Sequence, residues 1–234
     1  MARTIGCKVW FDWDFNGAFT EETTNLVSVR GDTRIAPPGE SITGGQGMID
    51  SCTIELYNNA GRYSPLNSSG ALYTYIQDGK GYHVPVYVET TINGSTYTRA
   101  FTGVAKIPRE TGRTVDDVRT VEFECRGREE LLLQKRMSTT YAGVIQRWQD
   151  GFTEGQIITA FLNAASATPT SIDAGMVTIP WSWLDNESPL EDIWAIASAS
   201  GGRFYADVSG TYTYENMAHW LNSPHATSQV TYTA

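Results

Sequence analysis

The first 126 residues read as β, with apolar and polar positions alternating most clearly over 48–57, the pattern of a strand with one buried face. In 48–57, Cys52, Ile54 and Leu56 fall on one face, against Ile49, Ser51, Thr53, Glu55 and Tyr57 on the other. Lys8–Phe15 is an aromatic-rich run that meets Asn16-Gly17, a hairpin signal. Residues 25–30 and 34–36 read as short strands, the second broken by Pro37-Pro38-Gly39. The clearest hairpin joins 82–92 to 95–107 through Asn93-Gly94, and 115–126 closes the set. Between them, 58–81 is too long for a plain turn and predicts a short helix near 71–76 or a functional loop.

After residue 127 the period changes from two to 3.6. A short helix is predicted over 128–135. Thr153-Glu154-Gly155-Gln156 is a capping box before Ile157, Ile158, Phe161 and Leu162. Ser188-Pro189-Leu190-Glu191 reads as a second, opening a helix with Leu190, Ile193, Trp194 and Ala197 on one side and Gly201-Gly202 as its stop. A hairpin over 203–215 and a strand-like run at 229–233 follow. The expected fold is mainly β with α+β character. A β-barrel spans 1–130, and a smaller region, 131–234, carries two helices and a hairpin.

Charge narrows the function. Of 17 basic and 26 acidic residues, 12 and 15 lie in 1–126, and from Trp148 onward Arg203 is the one basic residue against nine acids. A net charge of −9 disfavours sequence-specific nucleic-acid recognition. An acidic wall still lets DNA slide past without sticking. No run approaches the ~18 uncharged apolar residues of a membrane helix, and the N-terminus has no apolar signal region, so no membrane insertion is expected. Cys7, Cys52 and Cys125 are too sparse for a disulfide framework and read as buried thiols.

Candidate chemistry is thin. Asp12, Asp14 and Asn16, followed by Gly17, match the first half of a calcium-binding loop, but position twelve is Thr23 where a bidentate Glu is needed; a water-facing hairpin is the plainer reading. His83, His219 and His225 have no nucleophile motif or paired metal spacing, and Gly44-Gly45-Gln46-Gly47 lacks the Lys of a phosphate loop. Neither a catalytic set nor a cofactor site is expected. Trp181 and Trp183 share one strand face and could stack on sugar, although such faces are usually packed.

One segment is distinctive: a strand, Thr53–Tyr57, runs into Asn58-Asn59 and then Gly61-Arg62-Tyr63-Ser64-Pro65-Leu66-Asn67. It is followed by Gly79-Lys80-Gly81-Tyr82-His83-Val84, then Ala100-Phe101-Thr102-Gly103-Val104, the strand Val121–Arg126, and a helix-plus-hairpin from Ser188 to Gly210. This order resembles the minor tail proteins of tailed bacteriophages, the tail-hub or baseplate-hub family. Lys80-Gly81-Tyr82-His83 departs from that family's Gly-Arg-Pro-Val, and the second barrel is either incomplete or completed by another chain. The resemblance implies a non-enzymatic structural role in the virion: a homo-oligomeric ring, a trimer, that joins the tail tube or distal tail protein to the tip. Tape-measure and other tail-tip proteins are its implied partners, genomic DNA passes through, and assembly takes place in the host bacterial cytoplasm. The alternative is a carbohydrate-binding module at the tail tip, using Trp181 and Trp183. Asn58, Gly61, Arg62, Pro65 and Asn67 are the candidate structural or contact loop, with Arg62 paired to an acid and Pro65 stiffening the exit.

Overall fold

The computed structural model describes residues 5–32, 48–73, 76, 83–111, 119–138, 152–179, 182 and 184–221. The expected strands at 34–36 and 229–233 lie outside the described residues, as do Trp181, Trp183, His225 and the Gly44–Gly47 loop. Contacts divide the chain into two units, the first built from the N-terminal strands to Glu130 with the turn Asp207–Gly210, the second from most of the remainder.

In the first unit, β1 (Gly6–Phe11), β2 (Thr20–Glu21), β3 (Leu26–Asp32), β4 (Ser51–Tyr57), β5 (Val84–Thr91), β6 (Thr98–Ala105), β7 (Arg109–Glu110) and β8 (Thr120–Gly127) form one antiparallel sheet. Its order is β2-β1-β5-β6-β8-β4-β3, with β7 on β8. Alternation puts Val9 and Phe11, Ile54 and Leu56, Val84, Val86 and Val88, and Val121 and Phe123 on the inner face, all buried. The Asn93-Gly94 turn forms as expected, with Gly94 at φ 75°.

The sheet is strongly bent. Seven strands laid flat would separate β2 from β3 by ~29 Å at ~4.8 Å per strand. Yet Glu21 and Leu26 are joined by a single 3-10 turn, Thr23–Asn25, and five residue steps reach at most ~18 Å. Among the described residues the ladder does not close: no backbone pairing joins β1 to β3. Within the described residues, the expected barrel is a curled sheet whose closure is not seen.

Glycine sets the tightest approach within it. Gly103 of β6 lies opposite Gly127 of β8, and a Cβ on Gly103 would overlap the Arg126 carbonyl oxygen. β6 and β8 pair through only Gly103–Ala105, so this contact carries the joint between the sheet's halves.

Cys52 and Cys125 face each other across β4 and β8. The Gly127 N–H bonds the Asp50 carbonyl at 2.8 Å, and hydrogen-bonded pairs alternate along an antiparallel ladder, so Cys52–Cys125 is also such a pair. Side chains stand farther apart there than in the intervening pairs, beyond the Cβ separation a disulfide needs. Both stay thiols. Burial pushes Cys52 up to about 12 and Cys125 well above its ordinary value.

The second unit begins within α1 (Glu130–Leu133) and continues through β9 (Met137–Ser138), β10 (Phe152–Thr153), α2 (Glu154–Ala164), β11 (Ser171–Ile172), β12 (Thr178–Ile179), β13 (Asp185–Glu187), α3 (Pro189–Ala199), β14 (Arg203–Ala206) and β15 (Tyr212–Glu215). β11, β15 and β14 form a small mixed sheet. α2 buries Ile157, Ile158, Phe161 and Leu162, and its capping box forms between Thr153 and Gln156. α3 buries Leu190, Ile193, Trp194 and Ala197, and the Trp194 Nε1–H donates to the Phe204 carbonyl at 3.2 Å. One expectation fails: Ser188 makes no side-chain cap, because its hydroxyl turns to the Leu132 carbonyl at 3.4 Å. Pro at the first helical position and Asp192 and Glu191 in the first turn suit that helix end without a cap. Gly201, at φ 72°, ends the helix as expected.

Gly103→Ala tests the strand joint. It should destabilise the protein by about 3 kcal/mol in urea unfolding, because backbone rather than a movable side chain blocks the new methyl. An unchanged midpoint would show that β6 and β8 do not need this approach.

Candidate contact site

The loop after β4 carries the distinctive sequence motif, and its geometry is built around one carboxylate. Glu22, between β2 and the 3-10 turn, is 2 % exposed. Its Oε1 accepts from Arg62 Nη2 at 2.6 Å and Trp13 Nε1 at 3.0 Å. Its Oε2 accepts from Tyr63 Oη at 2.6 Å and Asn25 Nδ2 at 3.2 Å. Asn25 Nδ2 also reaches Tyr63 Oη at 2.9 Å. Burial alone would push the Glu22 carboxyl up, but the donated hydrogen bonds and the Arg62 charge outweigh it and hold the group below its usual value. The Tyr63 phenol is pushed up, by burial first and then by the adjacent Glu22 carboxylate.

Below the carboxylate, Tyr63 is fully buried and its ring packs among Trp13 and Phe123, which also contact Phe11. The loop thus inserts one aromatic into the curled sheet's interior and hangs its hydroxyl on the carboxylate. Arg62 covers the outer side and stays half-exposed.

Four further positions fix the path of the chain. The buried Asn58 accepts the Tyr63 N–H at 2.9 Å through Oδ1 and donates through Nδ2 to Ser64 Oγ at 3.0 Å. Ser64 in turn donates to Glu110 of β7. Ala60 and Gly61 both lie in the left-handed region, at φ 52° and 70°, which a glycine adopts freely and an alanine does not. The Asn67 amide donates to both their carbonyls, at 3.2 and 2.9 Å, which holds the strained turn. The Ile76 N–H meets the Leu72 carbonyl at 3.0 Å, the bond of the short helix expected there. Pro65 is half-buried, and Leu66 beside it is 90 % exposed.

The structure thus brings Asn58, Gly61, Arg62 and Asn67 into one network, and the acid expected for Arg62 is Glu22. Sequence reading missed Glu22, Asn25 and Trp13. Glu22 stands 40 residues from Arg62, and no local spacing distinguishes it from Glu21.

The other candidates are placed differently. Asp12 is buried, and its carboxylate accepts the backbone N–H of Asn16 at 3.2 Å and Gly17 at 2.9 Å, while Asn16 Oδ1 accepts from Ala18 at 2.7 Å. The Asp12 and Asn16 oxygens of the half calcium motif therefore serve the turn's own backbone. Among the described residues no group of three or more His, Cys, Asp or Glu is arranged to hold a metal ion. His219 Nδ1 lies 2.7 Å from Asp173 Oδ2, and its Nε2 lies 3.5 Å from Glu215 Oε1, so the ring bridges two acids. A hydrolase triad requires a hydroxyl nucleophile at that second nitrogen. The proposed sugar-stacking pair, Trp181 and Trp183, lies outside the described residues.

No protein-family pattern matches the sequence, and no curated protein matches it. Solved structures do. The 43 kDa tail protein of prophage MuSo2 from Shewanella oneidensis is similar over 90% of this chain and 53% of its own, with 12% identity and a TM-score of 0.54. The tail protein from Neisseria meningitidis MC58 is similar over 90% of this chain and 50% of its own, with 12% identity and a TM-score of 0.50. A chain of the Francisella PdpA–VgrG complex is similar over 91% of this chain and 31% of its own, with 10% identity and a TM-score of 0.50. The fold is that of phage tail proteins, and the chain spans about half the length of the two tail proteins it matches.

The Glu22 network predicts a pH signature. A carboxyl with a lowered folded-state value contributes stability above its ordinary 4.5, and that stability is lost as pH falls through the folded value. Glu22→Ala should cost about 3 kcal/mol at neutral pH, where it deletes the acceptor of four donors. The difference from the native chain should shrink in urea unfolding below pH 4.5. A difference that is constant with pH would mean that Glu22 is not charged in the fold.

Proposed function

We propose that this protein is a non-enzymatic structural component of a phage tail, of tail-hub type. Copies assemble into a ring, a trimer, that joins the tail tube to the tip and leaves a passage for DNA and the tape-measure protein. The observation that carries this reading is the fold likeness to phage tail proteins over nine-tenths of the chain. The two domains, 1–130 and 131–234, are the units that would tile around the ring axis. The chain's net charge of −9 supports it: an acidic lumen repels phosphates, so DNA crosses without being trapped. Unpaired cysteines agree with assembly in a reducing cytoplasm before the virion leaves the host. No helix among the described residues is long and apolar enough to cross a membrane.

The loop from Asn58 to Asn67 is the proposed contact element. A loop already locked by the Glu22 network loses little entropy on docking, and it presents Leu66 outward on a rigid base. Leu66 is the side chain that touches the neighbouring tail protein.

Electron microscopy and native mass measurement test the assembly. The expected result is a closed ring with a central opening. A monomer at every concentration, or a lumen lined by lysine and arginine, would overturn it. Leu66→Lys should weaken association about tenfold while leaving the melting temperature unchanged; undiminished association would remove the loop's contact role.

A further inference from the structure

The open side of the first unit's sheet has a definite hydrogen-bonding character. In β1 the Asp12 N–H bonds the Pro85 carbonyl at 2.9 Å, so the even-numbered residues of β1 point their backbone groups at β5. The odd-numbered ones point the other way. Phe11 meets Thr20 of β2; the Val9 N–H takes Thr23 Oγ1 at 3.2 Å, and its carbonyl takes the Glu22 N–H at 2.9 Å. Cys7 is next, and among the described residues its outward backbone groups meet nothing. On the other side of the opening, Ser51, Thr53 and Glu55 of β4 bond to β3, so Asp32, Arg30 and Ser28 are engaged. Val29 and Gly31 face outward, again without a backbone partner among the described residues.

β1 and β3 run away from the 3-10 turn Thr23–Asn25, where Val9 bonds Thr23, and beyond it no backbone pairing joins them among the described residues, which leaves a seam between Cys7 and Gly31. The interior is incompletely covered along it: Cys7, Leu26 and Val29 pack on the core yet remain only half-buried, whereas Val9, Ile54 and Leu56 are fully buried. A seam whose edges carry donors and acceptors with no backbone partner among the described residues, and apolar side chains at its floor, fits an extended strand. That strand needs apolar residues on alternate positions and no charge facing inward.

The chain contains one such segment beyond its described part. Residues 222–234 hold no Asp, Glu, Lys or Arg, and Gln229-Val230-Thr231-Tyr232-Thr233 alternates polar with apolar. Thirteen extended residues reach ~40 Å. We propose that residues 229–233 of a second copy fill the seam, pairing with Cys7 on one edge and with Val29 and Gly31 on the other, with Val230 and Tyr232 turned inward. Each copy then has one strand to give and one seam to fill, a head-to-tail contact that closes into a ring when the rotation allows. This inference rests on the assembly reading above and names its interface.

Cys7 supplies the probe, because Cys52 and Cys125 are buried. Val230→Cys and Thr231→Cys full-length chains are oxidised mildly and run on non-reducing gels. Val230→Cys should give covalent dimers and larger oligomers, about tenfold more than Thr231→Cys, whose side chain falls on the opposite face. Adding Cys7→Ser should abolish them. Gly31→Pro, which removes one outward N–H where a side chain meets only the Ser51 carbonyl at 3.9 Å, should weaken association in native mass measurement. Cross-links confined within one chain, or none, would overturn the strand exchange. Rings persisting in Gly31→Pro without the cross-link would sink it while leaving the assembly reading intact; monomers of the native chain at every concentration would sink both.

Discussion

A carboxylate taken out of water must be met by donors, and Glu22 is met by four side chains from three separate stretches of chain. That requirement organises the first unit. Trp13 comes from the end of β1, Asn25 from the turn into β3, and Arg62 and Tyr63 from the loop after β4. Satisfying one charge therefore ties both edges of the curled sheet to the loop that plugs its interior. An apolar residue at position 22 would relieve the desolvation cost, but it would leave the Trp13 Nε1–H and Tyr63 O–H donors without this acceptor. The network is a device for specificity of arrangement as much as for stability.

The sheet it secures is bent because of its topology. Two edge strands linked by one short turn cannot lie at opposite ends of a flat seven-strand sheet. The bend encloses the apolar faces of β1, β4, β5, β6 and β8 in one core, and the close glycine approach of β6 to β8 lets the layer pass through a joint of three residue pairs. The same bend brings β1 and β3 toward each other, and among the described residues no backbone pairing joins them. An edge left in this state must be managed, and pairing with another chain is one way of managing it.

The second unit follows a different rule. Its two long helices bury one apolar stripe each, and from Trp148 onward the chain holds nine acids against one basic residue, Arg203. Together with the phage-tail fold, that distribution is what makes a passage for DNA a coherent proposal rather than a binding groove.

Strand and helix identities were legible in the sequence wherever periodicity was strong. The β4 alternation, the Asn93-Gly94 hairpin, the α2 capping box and the buried stripes of both long helices all appear where local pattern placed them. The loop was legible as a distinctive segment through its length and motif order, whereas the left-handed turn at Ala60-Gly61 and the Asn67 amide that holds it were visible only in the structure. Three further things were decided only in the tertiary structure. Ser188 turned from the cap it could make to a carbonyl 56 residues away; Asp12 spent its oxygens on its own turn; and Glu22, not its neighbour Glu21, became the partner of Arg62. The physical reason is shared. Local pattern determines which way a side chain points along its own element, whereas the partner of a buried polar group is whichever complement the packing of distant segments brings within hydrogen-bonding distance.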